Sequence, residues 1–257
     1  MNRSDPERVF LGWDKPLLTE SVKWLLQKYP SDLENLIIGV PGGRSAWHVR
    51  ELFATSEAKT LIPPKVVTAG RIPEELINFD IPPASPFLQS IAWKRALEEI
   101  SPETLRSLTL FENSDDGVGT AFVNEILGLY RELAGEGYWF SSFGEHLPQG
   151  IPAKERFRWQ ALAEAEQKKD HFLTQMGFCD PQNTRQSLIE SDAIKTDLDI
   201  VLIGVPDAND VLRTLIDKIP HKVTILIGAP ETLSEAFDQY GRPNIDHWVQ
   251  RKSELFI

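Results

Sequence analysis

Leu36-Ile-Ile-Gly-Val-Pro-Gly-Gly-Arg-Ser-Ala-Trp-His-Val-Arg50 reads as a strand, a glycine turn and a helix in immediate succession. Leu36 to Gly39 is a run of apolar or small residues, as a buried strand requires. Pro41, Gly42 and Gly43 break it. From Ser45 the pattern turns helical, with Ala46, Val49, Leu52 and Phe53 on one side. Glycines in such a turn let backbone N–H groups approach a phosphate, and the helix N-terminus adds partial positive charge. The spacing departs from the nucleotide-binding pattern of Gly, four residues, Gly-Lys-Ser/Thr. Ile38 stands where the first glycine belongs, Gly39 is one residue too close, and Arg44 takes the lysine position. The expectation is a P-loop-like turn with eroded nucleotide chemistry. Gly42, Gly43, Arg44 and Ser45 are the candidates for a surviving phosphate contact, and a purely structural turn is the plainer alternative.

On either side of this unit the same alternation continues. Arg8 to Gly12 reads as a first strand, and Pro16 to Lys28 as an amphipathic helix carrying Leu18, Val22, Leu25 and Leu26. Pro63 to Thr68 reads as a third strand, with a short helix from Pro73. Strands return at Asp199 to Val205 and Lys222 to Gly228, each followed by a helical segment, the second over Glu231 to Tyr240. Alternation of this kind predicts a mostly parallel sheet with helices on its faces.

The middle differs. From Ser85-Pro86, a good helix start, residues 82–192 carry only helical spacings. Val118, Phe122, Ile126, Leu129, Tyr130 and Leu133 form one stripe; Phe157, Ala161, Ala165, Phe172 and Met176 form another. The predicted organisation is an α/β core from 1–81 and 193–257, with 82–192 inserted as an all-helical subdomain. The closing Leu255, Phe256 and Ile257, apolar and without a stop signal, lead us to expect a continuation.

The chain has 257 residues, 41% hydrophobic and 25% charged, with a net charge of −11. An acidic balance argues against a free-standing nucleic-acid binder but permits a local basic groove. One cysteine, Cys179, rules out an internal disulfide and a Cys-rich metal centre. The polar N-terminus and the lack of any long apolar run point to the cytoplasm and to no membrane partner.

These phrases, in this order, resemble the N-terminal part of the AddB family, the second subunit of AddAB-type helicase–nucleases that resect DNA double-strand breaks. Val9-Phe-Leu-Gly-Trp13 with Pro16-Leu17 is similar to its opening strand and helix. Val40-Pro-Gly-Gly-Arg-Ser-Ala46 sits where the family keeps a remnant of the first helicase motif. Pro63 to Gly70, Arg158 to Ala163, Ala229-Pro-Glu231, Phe237-Asp238, Gly241-Arg-Pro243 and Trp248 extend the likeness over most of the chain. The resemblance implies a P-loop-NTPase-like, superfamily-1 motor domain (helicase domain 1A-like) with an inserted 1B-like helical subdomain. It also implies an AddA-like helicase–nuclease subunit and DNA as partners within a complex.

Catalysis is not expected of this chain, and no cofactor is expected. A motor places acidic residues at the ends of its later strands for magnesium and water. Here those ends read Gly204-Val-Pro-Asp207 and Gly228-Ala-Pro230, and Asp207 and Asp210 read as helix caps. Glu166-Gln-Lys168 has a nuclease-like spelling but lies in a predicted long helix, where a solvated face is expected. Asp115 and Asp116 read as turn residues, the five histidines show no ligand spacing, and Cys179 reads as a half-buried structural thiol. What remains is DNA contact. Arg44, Arg50, Lys65 and Arg71 are expected near the C-terminal edge of the sheet, where open α/β sheets bind ligands. Arg156 and Arg158 beside Trp159 suit a backbone-tracking, base-stacking surface. Two alternatives stand beside the AddB-like DNA-guiding scaffold. One is a small α/β protein binding a phosphorylated ligand at Gly42 to Ser45. The other is a structural interaction module without DNA contact.

Overall fold

The computed structural model describes residues 5–56, 62–77, 79–108, 118–190, 194 and 196–250. Asp115, Asp116 and the apolar triplet at the end lie outside the described residues. The elements run β1 (Glu7–Phe10), α1 (Leu17–Lys28), β2 (Leu36–Val40), α2 (Gly43–Thr55), β3 (Lys65–Thr68) and α3 (Ile72–Glu75). Six helices follow: α4 (Pro86–Glu99), α5 (Pro102–Leu108), α6 (Thr120–Gly135), α7 (Phe140–Phe143), α8 (Ala153–Gln175) and α9 (Pro181–Glu190). The chain then adds β4 (Asp199–Ile203), α10 (Asp210–Lys218), β5 (Val223–Ile227) and α11 (Ile245–Gln250). Two compact units result, Met1–Leu76 with Ser191–Ile257, and Ile77–Glu190.

In the first unit the described strands form one all-parallel sheet in the order β1-β5-β4-β2-β3. Strands from both ends of the chain therefore interleave. Ile38 stands beside Val66 on one flank and Val201 on the other. Strands β2 and β5 are buried at every position, which is why their sequences are continuously apolar rather than alternating. Successive side chains still point to opposite faces. Ile37, Val67, Ile200, Leu202 and Ile225 meet α10 through Leu212, Leu215 and Ile216. Leu36, Ile38, Val40, Val66, Val201 and Leu226 meet Val22 and Leu25 of α1 and Ala46 and Val49 of α2.

One expected helix is absent. Over Glu231 to Tyr240 the chain makes only a kinked 3-10 segment, Glu231–Ala236, and then turns back so that Phe237 pairs antiparallel with Pro243. Asp238 accounts for the difference. Its carboxylate accepts hydrogen bonds from the N–H groups of Tyr240 (3.0 Å) and Arg242 (2.8 Å), supplying the turn that a helix would have avoided. Gly241 closes that turn at φ +77°.

In the second unit Trp93, Leu97, Val123, Ile126, Leu127, Tyr130, Phe140 and Leu162 form the core. Ser85 caps α4 by accepting the Leu88 N–H at 3.2 Å. The expected stripe on α8 is wrong at both ends, since Phe157 and Met176 are exposed. The buried positions are Ala161, Leu162, Ala165, Glu166, Lys169 and Leu173. Periodicity misled here because two of the inward positions are charged.

Candidate functional site

The first candidate region follows from the topology. Strand β2 leads through α2 outward to β3, whereas β4 leads through α10 the other way, to β5. The two strands are neighbours, and their helices pack on opposite faces of the sheet. This is a topological switch point, and the crevice beyond the C-terminal ends of such strands is where open α/β sheets take ligands.

Only Pro41 and Gly42 separate β2 from α2, and Gly42 is the N-cap, with φ −157°. Neither Gly42 nor Gly43 has a positive φ, and a Cβ built on either meets nothing within 4 Å. The fold does not require glycine at these two positions. Contrast Gly39, where a Cβ lies 2.5 Å from Ile72 Cδ1, and Gly204, where it lies 2.7 Å from Leu17 Cδ2. Helix α2 has no acidic residue in its first turn to offset its N-terminal partial charge.

The expected basic residues separate into distinct roles. Arg44 is exposed, and its side chain has no hydrogen bond or ion pair among the described residues. Ser45 is half-buried beside it. Arg71 follows β3 on the same edge of the sheet but is paired with Glu74 and Glu75. Arg50 lies two turns further along α2 and donates to the carbonyl of Val66. Lys65 opens β3, so it stands at the opposite end of the strands, held by Glu75. The four therefore do not form one free basic patch: Lys65 and Arg71 share the Glu75 carboxylate, Arg50 is committed to the Val66 carbonyl, and Arg44 alone of the four has a side chain without a partner among the described residues. Trp47, which the sequence pattern left without a role, is 67% exposed one helical turn after Arg44. Residues three apart on a helix are surface neighbours, so a free guanidinium and an exposed indole share one face.

No carboxylate lines the cavity at the ends of β4 and β5. Leu17 packs over both: besides its approach to Gly204, it lies 3.2 Å from a Cβ built on Gly228. Ala229 is buried. The small cavity there, about 190 Å³, is lined by Leu17, Val205, Pro206, Ile227, Phe237 and other uncharged residues. Asp207 is exposed in the loop. The cap of α10 is Asn209, which accepts the Leu212 N–H at 3.0 Å, and Asp210 is the first-turn acid, paired with Arg213. The sequence reading of Asp207 and Asp210 as caps is corrected accordingly.

In the helical unit Arg158 is structural: Nε donates to the Ser107 carbonyl at 2.9 Å and Nη1 to Glu155 at 2.9 Å. Trp159 is half-buried, its ring centroid 4.6 Å from that of Phe143. The Arg156 side chain has no partner among the described residues, and the residue borders a cleft of about 210 Å³ with Trp159, Phe140, Ser141 and Gln160. The unit joins Arg156 to Trp159 and removes Arg158 from the set.

A polar network that spacing did not reveal lies deeper in this unit. Lys169 is fully buried; its ammonium meets Asp180, donates to Asp170 (2.7 Å) and Tyr130 (3.2 Å), and lies 4.5 Å from the centroid of the Tyr130 ring. Burial alone lowers the pKa of Lys169, but the charges of Asp180 and Asp170 outweigh it and the net shift is upward. Burial, then Asp180, pushes Tyr130 well above the ordinary phenol value. Glu166, expected on a solvated face, is 4% exposed, and burial raises its carboxyl. The signal was present: Leu162, Ala165 and Leu173 lie on one helical face, and Lys169 fills its vacant position. Cys179 is half-buried as expected, with Sγ donating to the Ile81 carbonyl at 3.2 Å.

Neither a protein-family model nor a curated protein matches this sequence. Among the described residues, no cluster of three His, Cys, Asp or Glu is placed to hold a metal ion, and no helix is long and apolar enough to cross a membrane.

Proposed function

We propose that this chain is a non-catalytic, P-loop-like helicase domain of AddB type, acting in the cytoplasm as a scaffold that guides DNA beside an AddA-like motor. The carrying observation is the division of labour at the switch point. Arg44 and Trp47 are free on one face of α2, at its N-terminal end, while Leu17, not a carboxylate, covers the ends of β4 and β5. A cation plus an exposed aromatic ring suits a single strand, holding phosphate and stacking a base. With no carboxylate lining the cavity at those strand ends, nothing there is placed to activate water.

The test is titration of a fluorescent oligothymidylate over a range of salt, with ATP turnover measured in parallel. Arg44→Ala should weaken binding and lower the salt slope by about 0.7, the share of one single-strand phosphate. Trp47→Ala should cost about 1–3 kcal/mol of stacking and leave the slope unchanged. DNA-stimulated ATP turnover by the wild-type chain would defeat the non-catalytic reading, and binding indifferent to salt would defeat the DNA-guiding one.

A second reading is favoured by the open space around Gly42 and Gly43: a phosphorylated small ligand seated at Gly42 to Ser45. It predicts saturable thermal stabilisation by a nucleotide or sugar phosphate, lost in Arg44→Ala and retained in Trp47→Ala.

A further inference from the structure

Beside the buried network of the helical unit lies a cleft of about 280 Å³, lined by Trp139, Ser141, Glu166, Asp170, Asn183, Gln186 and others. One of its lining residues carries an unsatisfied acceptor. Glu166 Oε2 accepts the Ser141 N–H at 3.1 Å, but the buried Oε1 has no hydrogen-bond partner among the described residues. A buried carboxylate oxygen without a donor costs on the order of 1–3 kcal/mol or more, so a missing partner is the economical account of its retention. We propose that this cleft is a binding site for an organic cation, an alkylammonium or alkylguanidinium group that donates to Glu166 and Asp170 with its alkyl stem against Trp139.

The charge balance selects a cation. Glu166, Asp170 and Asp180 face the buried ammonium of Lys169, which is committed to Asp180 and Asp170, while the other buried cation of the unit, Arg185, donates to the Ala134 carbonyl. Asp170 is 37% exposed at its side chain, and both its oxygens also accept from Asn183 Nδ2 at 3.2 Å, which orients the carboxylate at the cleft. An ammonium or guanidinium brings several donors and no acceptor, which suits an acceptor-rich lining. A divalent metal ion fits poorly. It needs about six or more oxygen ligands, whereas among the described residues only one carboxylate oxygen of the lining is uncommitted and the Lys169 ammonium is already held by Asp170. The aromatic wall adds a favourable surface for a cation's stem or charge.

The experiment uses the full chain. n-Butylguanidinium, n-butylammonium and neutral n-butylurea are compared by calorimetric titration and thermal shift at fixed ionic strength, alongside magnesium, calcium and the blocked peptide acetyl-Gly-Arg-Gly-amide. The expected result is saturable binding of the two alkyl cations and none of the urea. Glu166→Gln and Asp170→Asn should each weaken binding at least about tenfold, as loss of a charge-assisted hydrogen bond implies, while Arg156→Ala should not. Circular dichroism establishes that each variant is folded; Asp170→Asn, at a half-exposed site, carries the test if Glu166→Gln is not. Peptide binding stronger than that of the free cations identifies a protein side chain as the natural source, and the reverse identifies a small molecule. Equal stabilisation of wild type and both variants, saturation by the neutral urea, or saturation by a divalent metal alone would overturn the assignment.

Discussion

Lys169 and Asp180 form an ion pair whose side chains are 0% and 2% exposed, joined by a hydrogen bond from the Tyr130 hydroxyl to the same Asp180 oxygen at 3.1 Å. The pair ties α8 to the start of α9, where Asp180 Oδ1 also accepts the Gln182 N–H at 2.8 Å. Removing one member leaves the other charge buried without compensation. Lys169→Met should therefore destabilise the chain by about 3–5 kcal/mol in urea denaturation. Replacing both members by apolar residues should cost clearly less than replacing Lys169 alone.

Alkaline pH should expose the same network. The folded pKa of Lys169 is raised above 10.5, so its contribution is complete below that value and is lost as pH rises through the folded pKa. Tyr130 acts in the same direction, because its phenolate is disfavoured in the folded state. Stability should fall steeply above about pH 10.5 in denaturation series, and the fall should be shallower in Lys169→Met.

Glu166 should act at acid pH with the opposite consequence to a salt-bridged acid. Burial raises its pKa above 4.5, against smaller lowering effects of the Ser141 hydrogen bond and Lys169 and a raising effect of Asp170. The folded state then holds its proton longer than the unfolded chain. This group's contribution to stability declines as pH rises from about 4.5 through the folded pKa, then stays constant. Glu166→Gln should remove that decline and be the more stable protein at pH 7, as read by chemical denaturation at a series of pH values.

Two neighbouring glycines separate fold from function. A Cβ at position 39 forces the far ends of Ile72 and Leu202 aside in a packed core, so Gly39→Ala should cost about 1–3 kcal/mol. Gly42→Ala meets open space at an extended φ and loses only the capping preference of glycine, so it should cost no more than about 1 kcal/mol. Any loss of DNA or phosphate binding in Gly42→Ala is then a direct effect at the turn.

Helix α10 depends on one side chain at its start. Asn209→Ala removes the acceptor of the Leu212 N–H and should destabilise by about 1 kcal/mol, measured as a lowered denaturation midpoint at constant m-value.

Local rules carried the strand–turn–helix units, the parallel sheet and the helical middle, because continuous apolar runs, proline–serine starts and glycine stops act over a few residues. The residues of the strand–glycine–helix turn were legible for the same reason. Three features depended on packing between distant segments. Lys65 and Arg71 came to share the Glu75 carboxylate, and Leu17 came to rest on Gly204 and Gly228, closing the end of the sheet that a motor would arm with acids. Within the helical unit, Tyr130, Asp170 and Asp180 converged on Lys169, making a buried position of a residue whose type alone predicts exposure. A charge enters a core only when partners from elsewhere in the chain arrive with it, and periodicity along one helix does not encode that meeting.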